Sequence, residues 1–231
     1  MKRFFALLIP VMLLAVVPVA AQGRCGCRDC RDDCRHYRVP QYYVNDNGVF
    51  FEGRRVEGAS PSGFVALGDG YAKDVWAVYY FGNKINFASV ESFQVSGYGY
   101  ARDSWNVYYN GVKIDGASTD SFRVLNDGYA KDAWNVYFDG VKINGAMADS
   151  FSCGPDGYAH DTWNVYYNGV KIDGASTDSF RVLNDGYAKD AWNVYFDGVK
   201  INGAMADSFS CGPDGYAHDT WNTYYYGRKI K

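Results

Sequence analysis

Cysteines, tryptophans, tyrosines and aspartates are the residues of this sequence whose types and spacing could do chemistry. Four cysteines fall within ten residues in the stretch CGCRDCRDDC, at Cys25, Cys27, Cys30 and Cys34. In an exported protein the leading expectation is disulfide bonding, within the cluster or to another chain, because the extracytoplasmic space is oxidising. Thiolate binding of zinc or copper is one alternative, and a tail with free, reactive thiols is the other.

Six tryptophans recur at a fixed interval along the rest of the chain. They are Trp76, Trp105, Trp134, Trp163, Trp192 and Trp221. On a β scaffold such a series has two interpretations. The indoles are either platforms that stack on sugar rings and gain avidity on a polymer, or packing elements between neighbouring copies. Packing is the favoured interpretation, because so short a repeat has few other bulky residues.

A series of tyrosines follows the tryptophans three residues later. Tyr108, Tyr137, Tyr166 and Tyr195 belong to it, whereas the next position varies between Tyr and Phe, as in Tyr109 and Phe138. Loss of the hydroxyl at the second position indicates packing there. Adjacent strand residues face opposite ways, so the first series has hydroxyls that could bond to backbone, water or ligand. We count these four tyrosines with the tryptophans as candidate ligand contacts.

One aspartate per repeat precedes each tryptophan by two residues. The series is Asp74, Asp103, Asp132, Asp161, Asp190 and Asp219. A single carboxylate per repeat makes a poor calcium site, which needs six or more oxygen ligands. We therefore expect each aspartate to accept backbone hydrogen bonds at a turn.

The remaining reactive side chains have ordinary interpretations. His160 and His218 occupy the position where sister copies have Lys or Arg, which predicts exposed polar side chains. Cys153 and Cys211 occupy the position where sister copies have Val, which predicts buried free thiols. The sequence shows no nucleophile and base motif, phosphate loop or unique acid pair. We therefore expect neither an enzyme nor a cofactor.

These residues are positioned by a tandem repeat of 29 residues without insertion or deletion. The seven copies begin at Tyr42, Tyr71, Tyr100, Tyr129, Tyr158, Tyr187 and Tyr216, and the last is truncated. A longer period is superimposed, because residues 100–157 and 158–215 differ only at Arg102 against His160 and at Ser104 against Thr162. Identity among the later copies therefore records recent duplication.

Within a copy the local pattern is that of short strands. NVYFDGVKI contains two apolar segments joined by Asp139-Gly140, which predicts a two-residue hairpin turn with positive φ at both central residues. Copies with Glu52, Phe81 or Tyr226 before the glycine keep half of this signal, so we expect the turn type to vary. SFRVLNDGYAKD adds two strands, and a turn from Asp132 to Asn135 leads into the next. GASTDS is a connector, either a loop or one helical turn.

We predict an all-β fold in which three or four strands form a meander that cannot stand alone. Neighbouring copies must bury one another, so the predicted architecture is an open, solenoid-like array of seven hairpin or meander repeats. A small closed β-propeller of seven blades is the alternative, although 29 residues per blade is very short.

The amino terminus predicts export. MKR followed by FFALLIPVMLLAVVPV and then Ala20-Ala21 has the layout of a signal peptide over residues 1–21, with cleavage near Ala21. Residues 22–41 form the Cys-rich segment and residues 42–231 the repeats. We expect no stable membrane span, because the apolar run is short and contains Pro10 and Pro18. The formal charge of −3 gives no basis for nucleic-acid binding.

The repeated elements YAKD, VYF or VYY, then G, K and I, then GA and SF resemble the bacterial DKNYY family. The resemblance covers about residues 42–231. Where that family typically has Lys and Asn after the Asp, this chain has Ala133-Trp134 or Thr162-Trp163, so the tryptophan is a local elaboration. The resemblance implies an exported bacterial repeat protein, and it supplies no activity or catalytic residue to transfer.

Three functions follow as expectations. The first is an exported, noncatalytic module that binds an unknown protein or glycan at the cell envelope or serves as surface structure. Carbohydrate binding through repeated Trp and Tyr platforms is the alternative, and a glycosidase on a propeller is the weakest of the three.

Overall fold

The computed structural model describes residues 41–231, which form seven small antiparallel sheets that succeed one another along the chain. We number them sheets 1 to 7; sheet 1 has three strands and each of the others has four, in chain order. The strands of sheets 1 to 3 are β1 (Tyr42–Asn45), β2 (Gly48–Phe51), β3 (Arg54–Arg55), β4 (Val65–Gly68), β5 (Tyr71–Lys73), β6 (Val78–Tyr80), β7 (Asn83–Ile85), β8 (Gln94–Gly97), β9 (Tyr100–Arg102), β10 (Val107–Tyr109) and β11 (Val112–Ile114).

Sheets 4 to 7 repeat this pattern with shorter outer strands. They contain β12 (Arg123–Val124), β13 (Tyr129–Lys131), β14 (Val136–Phe138), β15 (Val141–Lys142), β16 (Ser152–Cys153), β17 (Tyr158–His160), β18 (Val165–Tyr167), β19 (Val170–Lys171), β20 (Arg181–Val182), β21 (Tyr187–Lys189), β22 (Val194–Phe196), β23 (Val199–Lys200), β24 (Ser210–Cys211), β25 (Tyr216–His218), β26 (Thr223–Tyr225) and β27 (Arg228–Lys229). The connectors are loops, apart from one 3-10 turn at Ala206–Ser208. The predicted meander with a connector is confirmed.

The hairpin turn between the last two strands of each sheet has the same conformation throughout the described chain. Asp139 and Gly140 have φ values of 47° and 77°, as a two-residue type I′ turn requires, and Phe138 pairs with Val141 across it. Glu52, Phe81 and Tyr226 also have positive φ, at 51°, 44° and 42°. The expectation that the turn type varies is therefore wrong. At Phe81 and Tyr226 the following glycine packs on an aromatic residue of the preceding sheet, Phe51 or Phe196, which favours this conformation.

The hydrophobic core is a series of layers between consecutive sheets. In the layer between sheets 3 and 4, Tyr100 and Val107 of sheet 3 pack with Ala130 and Tyr137 of sheet 4. The neighbouring residues Tyr129 and Val136 of sheet 4 belong instead to the layer shared with sheet 5. Strand alternation thus sends one set of side chains backward and the other forward along the array.

A tyrosine hydroxyl joins each pair of sheets by hydrogen bonds. The Tyr100 hydroxyl donates to the carbonyl of Gly128 at 3.0 Å and accepts from the amide of Gly140 at 2.9 Å. Equivalent pairs of bonds are made by Tyr42, Tyr71, Tyr129, Tyr158 and Tyr187. Since both partners belong to the following sheet, these bonds fix the register of each sheet on the next.

The array remains open at its last sheet. Tyr216 occupies the position of Tyr187, yet it is 47% exposed whereas Tyr187 is fully buried. In a closed ring, sheet 1 would cover Tyr216 as sheet 7 covers Tyr187. The predicted open array is confirmed, and the propeller alternative is rejected.

Several predictions concern residues outside the described part of the chain. These predictions are the signal peptide of residues 1–21 and nearly all of the Cys-rich segment of residues 22–41, including Cys25, Cys27, Cys30 and Cys34. From residue 41 onward, no helix has the length and apolar character needed to cross a membrane.

Candidate functional site: a row of exposed tryptophans

The six tryptophans lie on the outside of the array, one on each of sheets 2 to 7. We call them the Trp row. Their side chains are exposed at Trp76 (77%), Trp105 (79%), Trp134 (80%), Trp163 (70%), Trp192 (79%) and Trp221 (75%). The interpretation that each indole packs on the neighbouring copy is therefore wrong. Burying an indole of about 200 Å² would contribute about 5 kcal/mol at the usual value per unit area, and the fold forgoes this at six positions.

Each tryptophan lies in a turn whose backbone amides donate hydrogen bonds to a buried aspartate. One carboxylate oxygen of Asp132 accepts from the amides of Trp134 and Asn135, both at 2.7 Å. The other oxygen accepts from the amide of Ser118 at 3.0 Å and from the hydroxyl of Tyr137 at 2.9 Å. The carboxylate therefore ties the turn to its own strand and to the preceding connector. This confirms the predicted turn role of the aspartate series.

The protonation of these aspartates follows from their hydrogen bonds. Burial acts to raise the pKa of Asp132, but donation from the Ser118 and Trp134 amides, the Tyr137 hydroxyl and the Asn135 amide outweighs it. The pKa therefore lies below the usual value, and the same direction holds for Asp74, Asp103, Asp161, Asp190 and Asp219. The turns thus hold ionised carboxylates at neutral pH.

The tyrosines predicted as ligand contacts lie inside the array. Tyr108, Tyr137 and Tyr166 are 1% exposed and Tyr195 is fully buried. Each hydroxyl donates to the aspartate of its own copy, at 2.7 to 2.9 Å. Burial first, and then the bonded carboxylate, raises the pKa of each phenol. The prediction of a ligand role for these four residues is corrected, because their rings fill the layers between sheets.

The second tyrosine position packs as predicted. The ring centroids of Tyr109 and Tyr100 are 4.8 Å apart, and Phe138 packs on Tyr129 at the same distance. The glycine of the next hairpin turn lies directly on this ring, since a Cβ added to Gly140 would meet the Cβ of Tyr109 at 2.5 Å. Glycine at this turn thus permits close approach as well as positive φ.

The histidines and cysteines are placed largely as their patterns predicted. His160 and His218 are exposed. Cys153 and Cys211 are unpaired but half-buried, so the expectation of full burial is wrong. From residue 41 onward, no three His, Cys, Asp or Glu side chains are grouped as a metal site would need.

Sequence reasoning missed two buried lysines. Lys131 is 5% exposed, and its ammonium donates to the carbonyls of Ala148 and Phe151 in the following connector. Lys189 does the same to Ala206 and Phe209. Burial lowers the pKa of both ammonium groups. The available signal was the alternation of Lys with Arg or His at this position from copy to copy.

Stacked four-stranded sheets, tyrosine bonds between them and an aromatic row outside them define an all-β tandem-repeat protein. The chain belongs to the DKNYY family, whose profile matches residues 42–153 and 100–228. Searches of curated proteins and of solved structures found no match.

Proposed function

We propose that this chain is an exported, noncatalytic repeat protein that binds a linear polysaccharide through the Trp row. The observation that carries the proposal is the 70 to 80% exposure of six equivalent indoles on turns held by buried carboxylates. An indole face that stays in solvent at such cost is available to stack on the apolar face of a sugar ring.

The regular placement of the row favours a polymer over a small ligand. Packed sheets are spaced by about 10 Å, so consecutive indoles recur at roughly that interval along the array. A ligand that touches several of them gains avidity without any single strong site. Polar residues flank some of the indoles in the chain, such as Ser104 and Asn106 on either side of Trp105, and favour a hydroxyl-rich ligand.

The experiment compares binding by two double variants. The chain's six tryptophans all lie in the row and its other fluorescent residues are 21 tyrosines. Fluorescence excited selectively in tryptophan therefore reports on the row alone during titration with long cello-, chito- and galacto-oligosaccharides. Loss of a stacked indole typically costs 1 kcal/mol or more, so W134A/W163A should weaken binding by roughly tenfold or more. The matched control is V141A/V170A, which removes two apolar side chains that are each 70% exposed beside the hairpin turns at the opposite strand ends.

Equal weakening by both variants, or no binding of any glycan by the intact protein, would contradict the proposal. Capture of a protein partner that survives W134A/W163A would assign the array to protein adhesion instead.

Export is a separate part of the proposal and rests on the amino-terminal sequence. Expression of the full chain should yield an extracytoplasmic protein that begins at Gln22. Recovery of cytoplasmic chain that retains Met1 would contradict export. Incubation with the same oligosaccharides should leave them uncleaved, and turnover that a single carboxylate substitution abolishes would contradict a noncatalytic role.

A further inference from the structure

A polar cleft lies at the junction of sheet 3 with its two connectors. It is lined by Ser92, Gln94, Arg102, Asp103, Ser104, Thr119 and Asp120. Its lining combines hydrogen-bond donors with acceptors, and Ser104 of the lining directly precedes the exposed Trp105 in the chain. Such a combination can bond the hydroxyls of a sugar whose ring stacks on the indole.

From sheet 3 onward, the side chain at the position of Arg102 alternates between accessible and buried. In sheet 2, Lys73 is half-buried and donates to the carbonyl of Val90 at 2.9 Å, much as Arg102 donates to Thr119. Sheets 3, 5 and 7 carry Arg102, His160 and His218, whereas sheets 2, 4 and 6 carry Lys73, Lys131 and Lys189. Lys131 is buried, and its donors are directed at two carbonyls of the next connector. Arg102 donates to the carbonyl of Thr119 through one nitrogen at 3.1 Å, and His160 is exposed. Donors for a ligand are therefore accessible at every second sheet.

Two further positions of the cleft follow the same alternation. The residue before the tryptophan is Ser104, Thr162 or Thr220 in the odd sheets and Val75, Ala133 or Ala191 in the even sheets. The connector position is Thr119 or Thr177 after the odd sheets and Val90, Ala148 or Ala206 after the even ones. Hydroxyl groups thus accompany Arg102 and the two histidines, and apolar side chains accompany the lysines.

The two long tandem duplicates differ only in this cleft. Residues 100–157 and 158–215 differ at two positions only, and both of them, Arg102 against His160 and Ser104 against Thr162, line it. The alternation is also older than that duplication, since sheet 2 keeps Lys73 with Val75 and Val90 although its hairpin has diverged to Phe81.

We infer that the odd sheets hold the specificity-determining subsites of the polysaccharide site and that the even sheets contribute indole stacking alone. The inference rests on the proposed function. In sheet 3, Arg102 donates to and Asp120 accepts from adjacent hydroxyls of a neutral sugar stacked on Trp105. Because equivalent subsites are two sheets apart, about 20 Å at the usual spacing of packed sheets, the ligand is a neutral polymer that presents equivalent hydroxyls at that interval.

The test exchanges residues between copies, so that every new side chain already occurs at the same place in a sister sheet. The odd-to-even variant carries R102K, S104A, T119A, H160K, T162A, T177A, H218K and T220A. The matched control, A133S/A191S, alters one cleft position of the even sheets and leaves Lys131 and Lys189 in place. Both retain all six tryptophans. Unfolding curves that match the intact protein would establish that the fold is kept.

Affinity for long cello- and chito-oligosaccharides is then measured by tryptophan fluorescence. The odd-to-even variant should bind the preferred oligosaccharide about tenfold or more weakly, because the guanidinium, imidazole and hydroxyl groups give way to lysines directed at the next connector and to methyl groups. It should also lose its preference between the two series. A133S/A191S should bind as the intact protein does. The reverse variant, K131H/A133T/A148T, should gain affinity.

The outcomes separate this inference from the proposed function. If W134A/W163A weakens binding while the odd-to-even variant binds and discriminates like the intact protein, the odd sheets do not determine specificity. Polysaccharide binding by the Trp row would then still be supported. If the intact protein binds neither oligosaccharide, both are overturned.

Discussion

Trp134 and Tyr137 are three residues apart and are repeated equally often, yet one is 80% exposed and the other 1%. Tyr137 lies in strand β14, where its ring faces sheet 3 and its hydroxyl bonds to Asp132. Trp134 lies at the tip of the turn before that strand, beyond the faces that neighbouring sheets cover. Repetition of a residue is therefore compatible with opposite roles, and its position relative to the strand ends distinguishes them.

The largest expected effect is the loss of folding stability at low pH, which tests the role of the buried residues. The six buried aspartates have lowered pKa values in the folded protein, whereas an unfolded aspartate titrates near 3.9. Their stabilisation is present above that unfolded value and is lost as the pH falls below it toward the folded pKa. Urea unfolding between pH 7 and pH 3 should show a steep loss of stability below about pH 4. A free energy of unfolding that is constant or rises over this range would contradict the role of the carboxylates.

Substitution of a hairpin glycine comes next in magnitude. Gly140→Ala should destabilise the protein by about 3 kcal/mol, because it combines positive φ with a clash against the ring of Tyr109. Gly145→Ala is the matched control, since Gly145 has a φ of 80° but nothing within 4 Å of an added Cβ; it should cost about 1 kcal/mol. Equal costs in urea unfolding would show that close approach of the sheets contributes nothing.

Removal of one inter-sheet hydroxyl should have a smaller effect. Tyr100→Phe loses the bonds to Gly128 and Gly140 and leaves those groups unsatisfied between sheets, at a cost of about 2 kcal/mol. Tyr109→Phe is its control, because it removes only a bond to the exposed Asp139 carboxylate, which water can replace, and because sister copies already have Phe138 and Phe196 there. It should cost less than about 0.5 kcal/mol. The account is wrong on this point if the two variants unfold at the same urea concentration.

The sequence was sufficient to predict the array, the hairpins and the aspartate turns, because each follows from a local rule. Positive φ at Asp139-Gly140 and backbone bonds to Asp132 need only a few adjacent residues. The single turn type was not predictable from Phe81 or Tyr226, since it is favoured by contact with the preceding sheet.

The solvent exposure of the candidate residues could not be predicted from the sequence. Trp134 and Tyr137 are both large and equally repeated, and local patterning does not say how far a neighbouring sheet extends over a turn. Burial of Lys131 depends likewise on carbonyls of Ala148 and Phe151, which are far enough along the chain that only the fold brings them together.

The smallest expected effect on stability belongs to the Trp row. Trp134→Ala should change the free energy of unfolding by less than about 0.5 kcal/mol, because a side chain that is 80% exposed makes few contacts to lose. Tyr137→Ala, the buried counterpart, should cost about 3–5 kcal/mol. Comparable destabilisation by the two substitutions in urea would remove the distinction between them.

Acrylamide quenching of the intrinsic fluorescence tests the central claim most directly, because every tryptophan of the chain belongs to the row. Without ligand, the account predicts that all six indoles are quenched nearly as readily as those of the unfolded chain, and that a saturating polysaccharide protects them. Strong protection in the free, folded protein would contradict their exposure, and failure of any bound glycan to protect them would contradict their role in binding.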